Sequence, residues 1–157
     1  MIYGYDKKTN CITFPVRDKN GNCLFIARRN VSYKLFNYPQ SVEKPVYGIY
    51  ELYQLKEFPK EIYIVESMID CCYLWTFNKY SVALNGLGTI SQFNQLNNLP
   101  CRKYIIATDS DNAGLQAREK IKQNIKGKLI TEVILPEGRK DINECTPKEI
   151  NNLMEVF

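Results

Sequence analysis

Tyr104-Ile105-Ile106-Ala107-Thr108-Asp109-Ser110-Asp111-Asn112-Ala113-Gly114 is an apolar run that ends in two carboxylates one residue apart. A strand holds alternate side chains on one side, so an extended backbone through this stretch points Asp109 and Asp111 at the same spot. Two carboxylates that close repel unless a proton or a cation lies between them. With oxygen-only ligands the matching ion is Mg²⁺ or a relative. A polar-faced helical pattern, Ala113 to Lys126, follows directly and ends near Gly127.

Outward from this stretch the chain alternates. Ile62-Tyr63-Ile64-Val65, Ser81-Val82-Ala83-Leu84, Lys103 to Ala107 and Leu129 to Leu135 read as strands. Met68 to Asn78, Ile90 to Asn98, Ala113 to Lys126 and Pro147 to Val156 read as helices, the last with Thr146 as N-cap. Near-continuous apolar strands alternating with helices predict an α/β fold, a parallel sheet with helices on both faces. Ahead of it, Cys11 to Val16 and Asn22 to Arg28 flank the turn-rich Asp18-Lys19-Asn20-Gly21 and predict a hairpin. Arg29 to Pro45 has no clear period and reads as loop, and Ile49 to Lys56 as a short helix closed by Phe58-Pro59. Two parts are expected: residues 1–59, a small mixed α/β or hairpin subdomain, and residues 60–157, the parallel-sheet domain.

The chain has 157 residues, 45% of them apolar and 24% charged, which suits one ordinary domain with a core. No run approaches the roughly 18 apolar residues of a membrane span, and no membrane partner is expected. Met1 to Lys7 has no apolar signal-peptide core, so a cytoplasmic setting with six reduced, structural cysteines is expected. No Cys-x-x-Cys pair and no histidine exist to build a zinc site or a histidine-based triad. Net charge is +4, but residues 1–60 carry ten Lys/Arg against five Asp/Glu and residues 61–157 eleven against twelve. A basic front beside an acidic remainder fits a polyanion facing the front.

In open parallel sheets ligands gather beyond the carboxyl ends of the strands. Glu66 follows Ile62–Val65, Asp109 and Asp111 follow Tyr104–Ala107, and Asp141 follows Leu129–Leu135 after a short loop. Parallel strands bring all of them to one sheet edge. Other readings fail on spacing. An EF-hand loop starting at Asp109 needs Asp or Asn at 113 and Glu at 120, where Ala113 and Lys120 stand. A dinucleotide fingerprint in Gly86-Leu87-Gly88 needs glycine at 91, which is Ser91. No P-loop motif is present.

Strand–Glu66-Ser67-Met68-Ile69-Asp70, then Ala83-Leu84-Asn85-Gly86-Leu87-Gly88-Thr89, then Asp109-Ser110-Asp111-Asn112-Ala113-Gly114, then Gly138-Arg139-Lys140-Asp141-Ile142-Asn143-Glu144 resembles a Toprim domain over roughly residues 61–145. Phe14-Pro15-Val16-Arg17-Asp18, Arg28, Lys34-Leu35-Phe36-Asn37 and Val46-Tyr47-Gly48-Ile49 resemble the amino-terminal half of the bacterial and phage primase catalytic core. The resemblance implies divalent-metal nucleotidyl transfer that makes RNA primers on single-stranded DNA from ribonucleotides. It implies Mg²⁺ or Mn²⁺ held by Glu66, Asp109, Asp111 and Asp141, with no zinc. Glu66, Asp70, Asp109 and Asp111 become candidate catalytic residues. Arg28, Lys34, Asn37, Gly86, Gly88 and Thr89 become candidate nucleotide or template contacts. A replicative helicase is an implied partner through a separate domain, since zinc-binding and helicase-binding segments do not occur in this sequence. A Toprim nuclease and a non-catalytic DNA- or nucleotide-binding module are the alternatives. Two departures stand out: the family's usual Glu-Gly is Glu66-Ser67 here, and its frequent Asp-x-Asp is Asp141-Ile142-Asn143.

Overall fold

A computed structural model describes residues 1–33, 35–39 and 42–157. It contains two sheets. The first is antiparallel, in the order β1 (Gly4–Asp6), β2 (Cys11–Arg17), β3 (Cys23–Asn30), β4 (Phe36–Asn37). The expected hairpin is its centre, with Phe14 opposite Ala27 and Val16 opposite Phe25. Asp18 makes the turn: its carboxylate accepts the amides of Asn20 and Asn22 at 2.9 and 3.0 Å. Two-residue β4 falls inside the stretch expected to be loop.

The second sheet has the order β6 (Ser81–Ala83), β5 (Glu61–Val65), β7 (Lys103–Ile106), β8 (Leu129–Ile134), β9 (Met154–Val156). Strands β6, β5, β7 and β8 are parallel, as their apolar runs require, and β9 is antiparallel to β8. Alternation along β5 assigns the two faces. Tyr63 and Val65 pack with Met68, Cys71 and Leu74 of α2 (Met68–Trp75). Ile62 and Ile64 pack with Phe93 and Leu96 of α3 (Ile90–Asn97) and Ile121 of α4 (Asn112–Asn124). Helices therefore cover both faces.

One expectation changes. The helix expected over Pro147–Val156 is short, α5 (Pro147–Asn151), and the chain then turns into β9. Pairing Met154–Val156 with Glu132–Ile134 gives the β8 edge backbone partners that a continued helix would leave open. The core runs across the boundary expected at residue 59. Phe14, Val16, Phe25 and Ala27 of the first sheet share one apolar cluster with Met68, Cys71 and Leu74. Val46 and the buried Ile49 and Leu52 of α1 (Ile49–Tyr53) pack with β5, and Tyr47 bridges to Ala83 on the β6 edge. All six cysteines are free thiols. No helix among the described residues is long and apolar enough to cross a membrane.

Candidate active site

Each acid stands in a strand-to-helix or strand-to-turn loop at the carboxyl edge of the parallel sheet. Glu66 comes directly after β5. Its carbonyl accepts the Asn85 amide at 2.8 Å, and its Oε1 accepts the Asp109 amide at 3.0 Å. One residue thereby ties together the loops after β5, β6 and β7. Ser67, where the resemblance leads one to expect glycine, is the N-cap of α2 and accepts the Asp70 amide at 3.2 Å, which accounts for a serine there.

Asp70 is buried and fully engaged. Its Oδ1 accepts the Asn143 amide at 3.1 Å and the Asn143 side-chain amide at 2.6 Å, and Oδ2 accepts the Ser67 hydroxyl at 2.5 Å. A carboxylate holding three donors braces α2 to the 3-10 turn Ile142–Glu144. The asparagine at 143 thus supplies a donor to a buried carboxylate, where an aspartate would bring a second negative charge. Asp141 caps that turn, its Oδ1 accepting the Glu144 amide at 3.2 Å.

Asp109 and Asp111 do not owe their positions to strand alternation. β7 ends at Ile106, and the chain turns before Asp109. Their environments differ. Asp111 is the partly exposed N-cap of α4, and its Oδ1 accepts the Gly114 amide at 3.0 Å. That bond, with Lys140 3.0 Å from Oδ2, holds its pKa below the usual carboxylate range. Asp109 is half-buried. Burial first, then the charges of Glu66, Asp70, Asp141 and Asp111, push its pKa up to about 7. Glu66 is also raised, chiefly by burial. Negative charge from four carboxylates thus adds to burial at a fifth.

The sign of that shift makes a prediction. The unfolded carboxyl ionises near 3.8 and the folded one near 7. Asp109 therefore favours the folded state most below pH 4, and this contribution is lost as pH rises to about 7. In chelator, the Tm of the native chain relative to that of Asp109→Asn should fall steadily between pH 4 and 7. A flat difference would show that the charges do not converge on Asp109.

Asp109, Asp141 and Asp70 line a cleft of about 250 Å³ whose opposite wall is Arg29 and Phe36. Two larger grooves, about 500 and 540 Å³, contain none of Glu66, Asp109, Asp111 or Asp141, so size does not locate the chemistry here. Arg29 lies over the Phe36 ring, 5.6 Å from its centroid, and donates to the Asn30 carbonyl at 2.5 Å and to that of Tyr33. Arg28 and Asn37, cross-strand partners, lie on the opposite face of the sheet from Arg29, with Arg28 4.0 Å from Asp6. The sequence reading missed Arg29, although the buried Phe25 and Ala27 share its face at spacing two. Lys34 lies outside the described residues.

On the Asn85–Thr89 loop, Gly86 (φ +127°) has open space where a Cβ would stand. Gly88 (φ +79°) is pressed on Phe93, and its carbonyl accepts Lys120 Nζ at 2.8 Å. Thr89 caps α3 in a reciprocal box with Gln92. Asn85, at φ 56°, has a buried Oδ1 without a hydrogen-bond partner.

Among the described residues no three Cys, Asp or Glu side chains close around one point. Mg²⁺ commonly takes one or two carboxylates and fills its octahedron with water and substrate phosphate. The hard oxygen donors and the raised Asp109 fit such an ion. Fold and site together define an α/β module with carboxylates at the carboxyl edge of a mostly parallel sheet that ends in one antiparallel strand.

The family model described as Toprim-like matches residues 63–146, and the chain belongs to that family. Among curated proteins it is similar to the DNA primase of Haemophilus influenzae, 31% identical over 147 residues covering 85% of this chain and 25% of that protein. The DNA primase of Buchnera aphidicola is 33% identical over 124 residues, covering 73% of this chain and 21% of that protein. In fold it resembles the primase fragment of the bacteriophage T7 primase-helicase protein, with TM-score 0.73 at 21% identity, over 96% of this chain and 65% of that one. The chain spans a quarter or less of the length of these curated relatives.

Proposed function

We propose that this chain is the catalytic part of a primase-type nucleotidyltransferase that makes RNA primers on single-stranded DNA. The observation that carries the reading is the placement of Glu66, Asp109, Asp111 and Asp141 in loops at one sheet edge, with Arg29 and Phe36 walling the cleft that Asp109 and Asp141 line. Asp109 and Asp111, with Asp141 and Glu66 beside them, would hold Mg²⁺ or Mn²⁺. Such an ion, when bound, stabilises charge on the reacting phosphate and activates a 3′-hydroxyl. Glu66, its pKa raised by burial, suits a proton acceptor near that hydroxyl, and its bond to the Asp109 amide fixes its direction. Asp70 holds the Asp141 turn in place. Arg29 offers a guanidinium suited to phosphate oxygens, and Phe36 an apolar ring against which a base can lie.

The template, the ribonucleotides and a helicase partner acting through a domain outside this chain belong to the same reading. Its support is the likeness to DNA primases and the basic front third. The test is to incubate the chain with single-stranded DNA, ribonucleotides and Mg²⁺ or Mn²⁺. Short RNA products abolished by EDTA are expected. Strand cleavage without synthesis would move the assignment to a nuclease, and metal binding with neither reaction to a binding module.

A further inference from the structure

Asp111 has two carboxylate oxygens, and both are taken. Oδ1 accepts the Gly114 amide and is part of the α4 cap. Oδ2, the oxygen left for a ligand, faces the Lys140 ammonium at 3.0 Å. The Lys140 charge also acts on Asp109, Asp141 and Glu66. Its backbone is pinned on both sides: its carbonyl accepts the Ser110 amide at 2.9 Å, and its amide donates to Glu144 Oε2 at 2.8 Å. Its side chain, by contrast, is 46% exposed. Backbone hydrogen bonds hold the loop, while the cation on it faces water.

We propose that Lys140 is a resident counter-cation of the acidic site, and that its ammonium and a divalent ion compete for Asp111. The inference rests on the reading that Asp109 and Asp111 hold a metal. An ammonium at Oδ2 neutralises one carboxylate of the cluster and so helps hold the metal-free loops together. A divalent ion reaching Asp111 takes the same oxygen and repels the ammonium, so binding includes the release of Lys140. Exposed ion pairs are weak, which lets an ion displace this one at modest cost. Lys140 thereby sets the metal affinity of the site without touching the ion.

The test is Mn²⁺ titration of the whole chain, followed calorimetrically, in four variants. Lys140→Met should tighten Mn²⁺ binding about threefold to fivefold, the range an exposed pair can supply. Lys140→Arg, which keeps the charge, should stay within about twofold of the native chain on the same argument. Lys126→Met removes an equal charge beyond the far end of α4, about 20 Å along the helix, and should leave binding unchanged. Asp109→Asn should weaken it. Asp109-dependent binding that Lys140→Met leaves unchanged or weakens overturns the competition and leaves the metal reading standing. Absence of Asp109-dependent binding overturns both.

Discussion

Gly114→Ala lowers the stability of this chain by about 2 kcal/mol, against the direction that helix propensity alone gives. Gly114 sits in the first turn of α4, where alanine is intrinsically better by about 1 kcal/mol. The space decides otherwise. A Cβ at 114 would stand 2.0 Å from the Asp109 carbonyl oxygen, 2.6 Å from its carbon and 2.9 Å from its nitrogen. Those are backbone atoms, so no rotamer change relieves the clash, which puts the cost at the upper end of the roughly 1–3 kcal/mol typical of overpacking. The net loss corresponds to about 4–8 °C in Tm for a chain of this size. Gly114 also donates its amide to Asp111 and accepts the Thr108 hydroxyl at 3.0 Å, so moving it moves both acids. Thermal unfolding of the variant checks this; a Tm equal to or above the native value would show that helix propensity outweighs the contact.

Asp109→Asn abolishes primer synthesis while leaving the metal-free chain as stable as before or more so. The substitution keeps the shape and removes the half-buried negative charge that Glu66, Asp70, Asp141 and Asp111 oppose. At pH 8 in chelator that removal relieves repulsion, so Tm holds or rises. A group that helps carry charge onto a reacting phosphate is a different matter, and its loss costs at least about 10²-fold in rate. Mg²⁺ should stabilise the native chain against heat and leave the variant nearly unaffected, because a ligand that binds only the folded state stabilises it by mass action. An Asp109→Asn chain that still primes and still gains stability from Mg²⁺ would remove Asp109 from the site. The two substitutions fail differently: Gly114→Ala through packing, Asp109→Asn through charge.

Several parts of this architecture were legible in the residues. Runs such as Ile62–Val65 and Tyr104–Ile106 are apolar on both faces, which a parallel strand covered by helices requires, and they became β5 and β7. Thr146 announced the start of α5 because a hydroxyl residue directly before a proline-led helical pattern is a local capping signal. Elements that depend on a partner were not legible. Met154–Val156 has helix-compatible neighbours and became β9 because β8 had an open edge. Phe36–Asn37 became β4 through pairing with Arg28 and Arg29. Arg29 was passed over for Arg28 because two adjacent arginines look alike until the pleat assigns each a face.

By itself the sequence determined that acids follow three apolar strands, and parallel strands then bring those acids to one edge whatever the details of packing. Tertiary structure decided what each acid does there. Asp109 and Asp111 are one residue apart, yet the close approach of Gly114 to the Asp109 backbone sends one inward beside Glu66, Asp70 and Asp141 and leaves the other capping α4 and facing Lys140. Asp70 and Asn143 are 73 residues apart and became one brace. Burial and long-range neighbours set the charge state and the free oxygens of a carboxylate, and neither quantity is a property of its local sequence.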